Sequence, residues 1–297
     1  MNLSQIIQDK INEVQNPSCL GIDPHKDLIP KFLLDKYRND SQNEHEMFAK
    51  AAEEYFINIL NGVKTIIGIV KLQLAFFEQF GSYGMKAYEN ILKECSKLGM
   101  IIISDSKRGD IGSTSAAYAE AFLSKDSLWE SDCVTVNPYL GSDGIIPFVK
   151  LAKQNNKGVF VLLKTSNPSS SEIQDLIVDD EPLYIKVAEY IKEWDSCDCG
   201  SLGFVAAVVG ATHPDLARKI RESIPNTWLL VPGYGAQGAK GEDLKHFLGK
   251  DSPYVIVPAS RSLGFAYKNS EHSEENYVQA SVDEALKMKE DLTCLLR

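Results

Sequence analysis

Asp105, Lys107 and Asp110 fall within six residues of one another in the stretch SDSKRGDIGST (104–114), directly after the apolar run MIII. An isolated D-x-K-x-x-D is ordinarily a solvated turn carrying a surface ion pair. At the end of a buried strand it becomes a candidate charge array. Residues two apart on a strand point the same way, so Asp105 and Lys107 share a face, with Asp110 on the loop beyond. An ammonium about 4 Å from one carboxylate gains roughly 4 kcal/mol at an effective dielectric near 20. Lys107, flanked by carboxylates, is expected to stay protonated. That makes it a proton donor rather than an imine-forming nucleophile, which needs a lysine whose pKa is lowered by burial or a second cation.

The elements that must hold these groups recur along the chain. Eight short β-branched runs are present: SCLGI (18–22), TIIGIVKL (65–72), GMIIIS (99–104), CVTV (133–136), GVFVLLK (158–164), GFVAAVV (203–209), TWLLV (227–231) and YVIV (254–257). Their continuous apolar character suits parallel strands covered on both faces. Between them lie segments with helical spacing, such as EMFAKAAEEYFINIL, where Phe48, Ala51, Ala52, Tyr55, Phe56 and Ile59 recur at three and four. Eight such repeats in 297 residues predict an α/β fold, a (β/α)8 TIM barrel forming a single domain over 1–297. A helix near 3–15 would cover the barrel bottom, and one at about 275–295 would complete the outer ring. The connections 23–45, 165–185 and 233–243 are longer than such a barrel needs.

Chemistry in this fold lies where strands end. Asp23 follows the first strand, Lys71 and Gln73 end the second, and Asp105 and Lys107 end the third. Asn137 follows the fourth, Lys164, Thr165 and Ser166 end the fifth, and His213 follows the sixth. Pro232 to Gln237 follow the seventh, and Ser260 with Arg261 follow the eighth. A phosphate site is expected at the last two ends, where Gly233, Gly235 and Gly238 let backbone N–H groups approach an anion and Arg261 offers a bidentate fork. GYGAQG also matches a dinucleotide fingerprint, but it lies far from any first βαβ unit and Asp251 precedes the next strand instead of ending it. Lys71 inside an apolar strand has no easy structural explanation. Asn137 reads as a turn residue as readily as a ligand, and His213 as a neighbour of a helix cap.

A net charge of −10 leaves no electrostatic footprint for nucleic acid, and no basic stripe suggests one. No apolar run approaches the roughly 18 residues that span a bilayer, and MNLSQIIQDKINEV lacks the features of a signal peptide. A cytoplasmic protein without membrane contact is expected. Cys19 and Cys133 sit in strand-like runs as reduced core thiols, and Cys197 with Cys199 lacks the further ligands of a zinc site.

The segments GIDP, VKLQ, SDSKRGDIGST, TVNPYLGSDG, LLKTSNP, VPGYGAQG and VPASR stand in the order of one family. With them the chain resembles the orotidine 5′-phosphate decarboxylases, in particular their longer, type 2-like subfamily. The resemblance implies a TIM barrel, an obligate homodimer with composite active sites, no cofactor and no metal. It implies conversion of orotidine 5′-phosphate to UMP, the last step of de novo pyrimidine nucleotide synthesis. By motif position, Lys71, Asp105 and Lys107 form the charged network of one subunit, Asp110 and Thr114 reach in from the other, and Lys107 protonates C6. Asp23, Lys71 and Thr114 hold ribose hydroxyls, Ser166 the pyrimidine amide edge, and Gln237 with Arg261 the phosphate. Thr165 and Pro232 join the substrate contacts by their place in LLKTS and VPGYGAQG. Ser260 stands where many members have Gly and is carried over only as a backbone contact, and Gln73 occupies a position where the family varies. Three other readings remain: a Schiff-base aldolase on Lys164, a metal-dependent sugar-phosphate enzyme of the same superfamily, and a silent barrel serving a phosphoribosyltransferase.

Overall fold

The computed structural model describes residues 3–196, 203–211, 214–235, 240–248 and 254–296. The eight apolar runs become eight parallel strands: β1 Ser18–Ile22, β2 Ile69–Gln73, β3 Ile101–Arg108, β4 Cys133–Val136, β5 Gly158–Lys164, β6 Val205–Val209, β7 Leu229–Leu230 and β8 Val255–Ala259. Each pairs with its neighbours in sequence, and β8 pairs with β1 to close the expected barrel. β2 starts later than its sequence suggests. Ile66 and Ile67 donate their N–H groups back to the Val63 carbonyl, so they finish the preceding helix, Glu44–Val63, instead of opening the strand.

Side-chain alternation sorts the strands into two cores. One face packs on the surrounding helices, as Leu20, Val70, Ile102 and Val134 do. The other fills the barrel with Cys19, Ile69, Ile101, Ile103, Cys133, Phe160, Ala206, Val208, Trp228, Leu230 and Ile256. The N-terminal helix Leu3–Val14 inserts Leu3, Ile7 and Ile11 into this interior cluster and so plugs the bottom. A Cβ on Gly158 would stand 1.9 Å from Leu3 Cδ2, which shows how closely the plug approaches β5. The indole of Trp228 donates to Ser4 Oγ at 2.8 Å. With the bottom closed by apolar contact, the polar groups of the same inward faces are left at the C-terminal rim.

The helix Tyr277–Leu292 completes the ring against Glu44–Val63, with Tyr55 and Tyr277 stacked at 4.5 Å between ring centres. The long connection after β5 carries its own two-stranded antiparallel hairpin, Ile177–Val178 with Glu181–Pro182, turned through Asp179 and Asp180 at φ 51° and 64°. Among the described residues no helix is long and apolar enough to cross a membrane.

Candidate active site

On β2 the inward series Ile69, Lys71, Gln73 climbs from apolar to polar, and on β3 the series Ile101, Ile103, Asp105 does the same. Their register places Gln73 beside Asp105. The Asp105 carboxylate is the hub. Its Oδ2 accepts from Lys71 Nζ at 2.7 Å and from Gln73 Nε2 at 2.9 Å. Its Oδ1 accepts from Lys107 Nζ at 2.6 Å and from Thr135 Oγ1 at 2.9 Å. Burial alone would push this carboxyl up, yet Lys71 and Lys107 with their hydrogen bonds hold it well below the usual carboxylate range. Burial likewise favours neutral Lys71, but Asp105 and then Asp23 outweigh it and raise its pKa. Lys71 is buried, whereas the Lys107 side chain is 43% exposed at the open end of the array.

Asp23 stands above β1 with Oδ1 3.9 Å from Lys71 Nζ. That oxygen is buried and accepts no hydrogen bond among the described residues, leaving an acceptor free for a ligand hydroxyl. Asp110 does not join the network of its own chain. Its Oδ1 accepts the Ile111 N–H at 2.8 Å, and Thr114 lies exposed on the first turn of the helix Gly112–Leu123. Beside them Ile111, Tyr139 and Leu140 are exposed. Asn137 accepts from the Tyr139 N–H at 3.0 Å and so serves the turn after β4.

At the other side of the rim, Gly233 and Gly235 take φ values of 130° and 67°, which a side-chain-bearing residue rarely adopts. A Cβ on Gly235 would touch Ser262 Oγ at 3.4 Å, so the loop after β7 lies against the short helix Arg261–Gly264 after β8. Arg261 is exposed there, with no ion pair among the described residues. Pro232 accepts the Ala211 N–H through its carbonyl at 2.9 Å. Ser260 faces Gly21, and Ser166 faces Gly210, where a Cβ would stand 2.7 Å from Ser166 Cβ. Gln237, Gly238, His213, Cys197, Cys199 and Asp251 lie outside the described residues.

Two fifth-strand residues are engaged elsewhere. Thr165 Oγ1 donates to Asn167 Oδ1 at 2.6 Å and accepts from Gln174 Nε2 at 2.8 Å, so its hydroxyl serves the loop. Lys164, beyond a register shift in β5, pairs with Asp175 at 2.8 Å and lies 5.8 Å from the Tyr184 ring centre. Its charged neighbour is a carboxylate and not the second cation that favours an imine-forming amine. Among the described residues no group of three or more His, Cys, Asp or Glu side chains could hold a metal ion. Sequence reasoning passed over Thr135. Its inward direction was readable from the alternation Cys133, Thr135, but its partners were not.

A barrel with a carboxylate clasped between two ammonium groups at its C-terminal rim, and an arginine after strand eight beside the loop that follows strand seven, defines a class: a (β/α)8 enzyme with a preorganised charged centre. Residues 17–257 match the family described as Orotidine 5′-phosphate decarboxylase / HUMPS, and the chain belongs to it. An orotidine 5′-phosphate decarboxylase of Caldicellulosiruptor bescii is 38% identical over 283 residues, covering 92% of this chain and 93% of that protein. A candidate orotidine 5′-phosphate decarboxylase of Streptomyces avermitilis superimposes with a TM-score of 0.78 at 32% identity, covering 98% and 97% of the two chains. OMP decarboxylase of Leishmania donovani superimposes with a TM-score of 0.76 at 27% identity, covering 99% and 98%.

Proposed function

We infer that this chain is a carboxy-lyase that converts orotidine 5′-phosphate to UMP and CO2, the closing step of pyrimidine nucleotide synthesis. The observation that carries the reading is Asp105, buried with both oxygens occupied between Lys71 and Lys107. Substrate would bind over this centre with its carboxylate toward Asp105 and C6 toward Lys107 Nζ. The C6–carboxylate bond breaks, its electron pair stays on C6, and the Lys107 ammonium supplies the proton. Solvent returns a proton to Lys107, so one proton is consumed for each CO2 released. No cofactor or metal is needed, because a fixed cation stabilises the carbanion-like transition state.

Asp23, with its free acceptor, and Lys71 would hold ribose hydroxyls. Ser166 would take the pyrimidine amide edge, and Arg261 with Gln237 the phosphate. Gln73 would act through Asp105, and Thr165, Pro232 and Ser260 would contribute backbone contacts. The reading treats 1–297 as one domain of a cytoplasmic enzyme. It also requires a homodimer. Asp110 and Thr114 stand apart from their own network beside exposed Ile111, Tyr139 and Leu140, a placement suited to completing a second subunit's site.

The test is the loss of ultraviolet absorbance as orotidine 5′-phosphate becomes UMP, run with and without EDTA. Equal rates in both are expected. No turnover removes the reading, and a rate abolished by EDTA and restored by magnesium supports the metal-dependent alternative.

A further inference from the structure

Strands β3 and β4 fall out of register at the site. Ser104 pairs with Val134 and Arg108 with Val136, so Asp105, Ser106 and Lys107 together stand opposite a single residue, Thr135. Such a bulge leaves ladder groups unpaired and redirects the side chains it carries. Lys107 takes φ 46°, a left-handed conformation that costs a lysine energy unless its surroundings hold it. Its N–H donates to a side chain of the neighbouring strand, Thr135 Oγ1, at 2.9 Å.

That bond settles the direction of the threonine hydroxyl. With an amide donating to its oxygen, the Oγ1 proton points to Asp105 Oδ1, 2.9 Å away. Thr135 is 1% exposed, so its hydroxyl is shielded from bulk solvent. One buried hydroxyl thus joins the bent Lys107 backbone to the hub carboxylate. The Lys107 ammonium returns to the same oxygen at 2.6 Å, closing a small ring of Lys107 N–H, Thr135 O–H, Asp105 Oδ1 and Lys107 Nζ.

We propose that Thr135 is a positioning residue for the decarboxylation, holding the β3 bulge so that the Lys107 ammonium sits against Asp105 at the point of proton delivery. This rests on the function proposed above. A positioning role predicts loss in kcat with little change in KM, because ribose and phosphate contacts lie elsewhere on the rim.

The experiment compares Thr135→Val, which keeps the shape and loses the hydroxyl, with Thr135→Ser, which keeps the hydroxyl. The expected result for Thr135→Val is a fall in kcat of about tenfold to a hundredfold with KM within about threefold of wild type. Thr135→Ser is expected to stay within about threefold in both. A second readout needs no turnover: competitive amine labelling, read by mass spectrometry, should rise at Lys107 in Thr135→Val relative to the other lysines. Unchanged kcat and labelling in Thr135→Val overturn the proposal, as does a loss confined to KM or an equal loss in Thr135→Ser. If Thr135→Val does not fold, Thr135→Ala carries the same comparison. If the wild-type protein does not decarboxylate orotidine 5′-phosphate, the functional reading fails and labelling alone decides the positioning of Lys107.

Discussion

Asp105 spends its whole hydrogen-bonding capacity inside the rim: two ammonium groups, an amide and a hydroxyl meet its two oxygens. Removing one buried partner from such a group strands the others, which is costlier than the net worth of the pair. Its lowered pKa has a consequence for stability. A carboxyl depressed on folding contributes stability above its unfolded value, near 3.9, and loses it as pH falls toward the folded value. Lys71 acts oppositely: its raised pKa contributes fully below the ordinary lysine value and fades as pH climbs past it. Comparing wild type with Asp105→Asn cancels the other acid groups. In urea unfolding, the stability gap between them should shrink by about 1 kcal/mol between about pH 6 and pH 3. A gap that holds constant across that range means Asp105 is not depressed.

Each strand-end group depends on how two elements approach. Gly21 on β1 is one such requirement. A Cβ there would stand 2.0 Å from Ser260 Oγ and 2.8 Å from Ser260 Cβ, so the closure of β8 onto β1 uses the missing side chain. Ser260 is thus accommodated across the strand pair, one residue before Arg261. Gly21→Ala should destabilise the protein by about 1–3 kcal/mol through overpacking. Adding Ser260→Gly should recover at least half of that in urea or thermal unfolding. Independent, additive losses from the two changes would mean that they do not share this contact. The bottom of the barrel makes the same demand at Gly158, where a Cβ would stand 1.9 Å from Leu3 Cδ2 on the plugging helix.

At the scale of the whole molecule, the rim is divided. Asp105 and Lys107 bond within one chain, while half-buried Asp110 and exposed Thr114 stand apart beside Ile111, Tyr139 and Leu140. In a symmetric dimer each subunit would lend the second pair to the other. Lys107→Ala and Asp110→Ala should then each abolish most activity. Mixed and re-equilibrated, they should form hybrids in which one of two sites is intact, returning about a quarter of wild-type activity. Verified hybrids without recovery would place both groups in one subunit's site.

The barrel was legible because eight apolar runs, each followed by helical spacing, admit few other closures, and the shared face of Asp105 and Lys107 followed from alternation alone. Alternation is local, so one chain's residues suffice to reveal it. What it could not supply was register. The slip that sets three residues of β3 against Thr135, the shift in β5 that turns Lys164 toward Asp175, and the loop bonds that occupy Thr165 depend on which strand or loop lies alongside. The apolar run from Thr65 to Leu72 likewise reads as one strand until Ile66 and Ile67 bond back to Val63. The sequence by itself determined which groups stand at the rim. Only the tertiary structure decided which of them touch, because hydrogen-bond partners between neighbouring strands are chosen by register, and register is settled when the barrel closes.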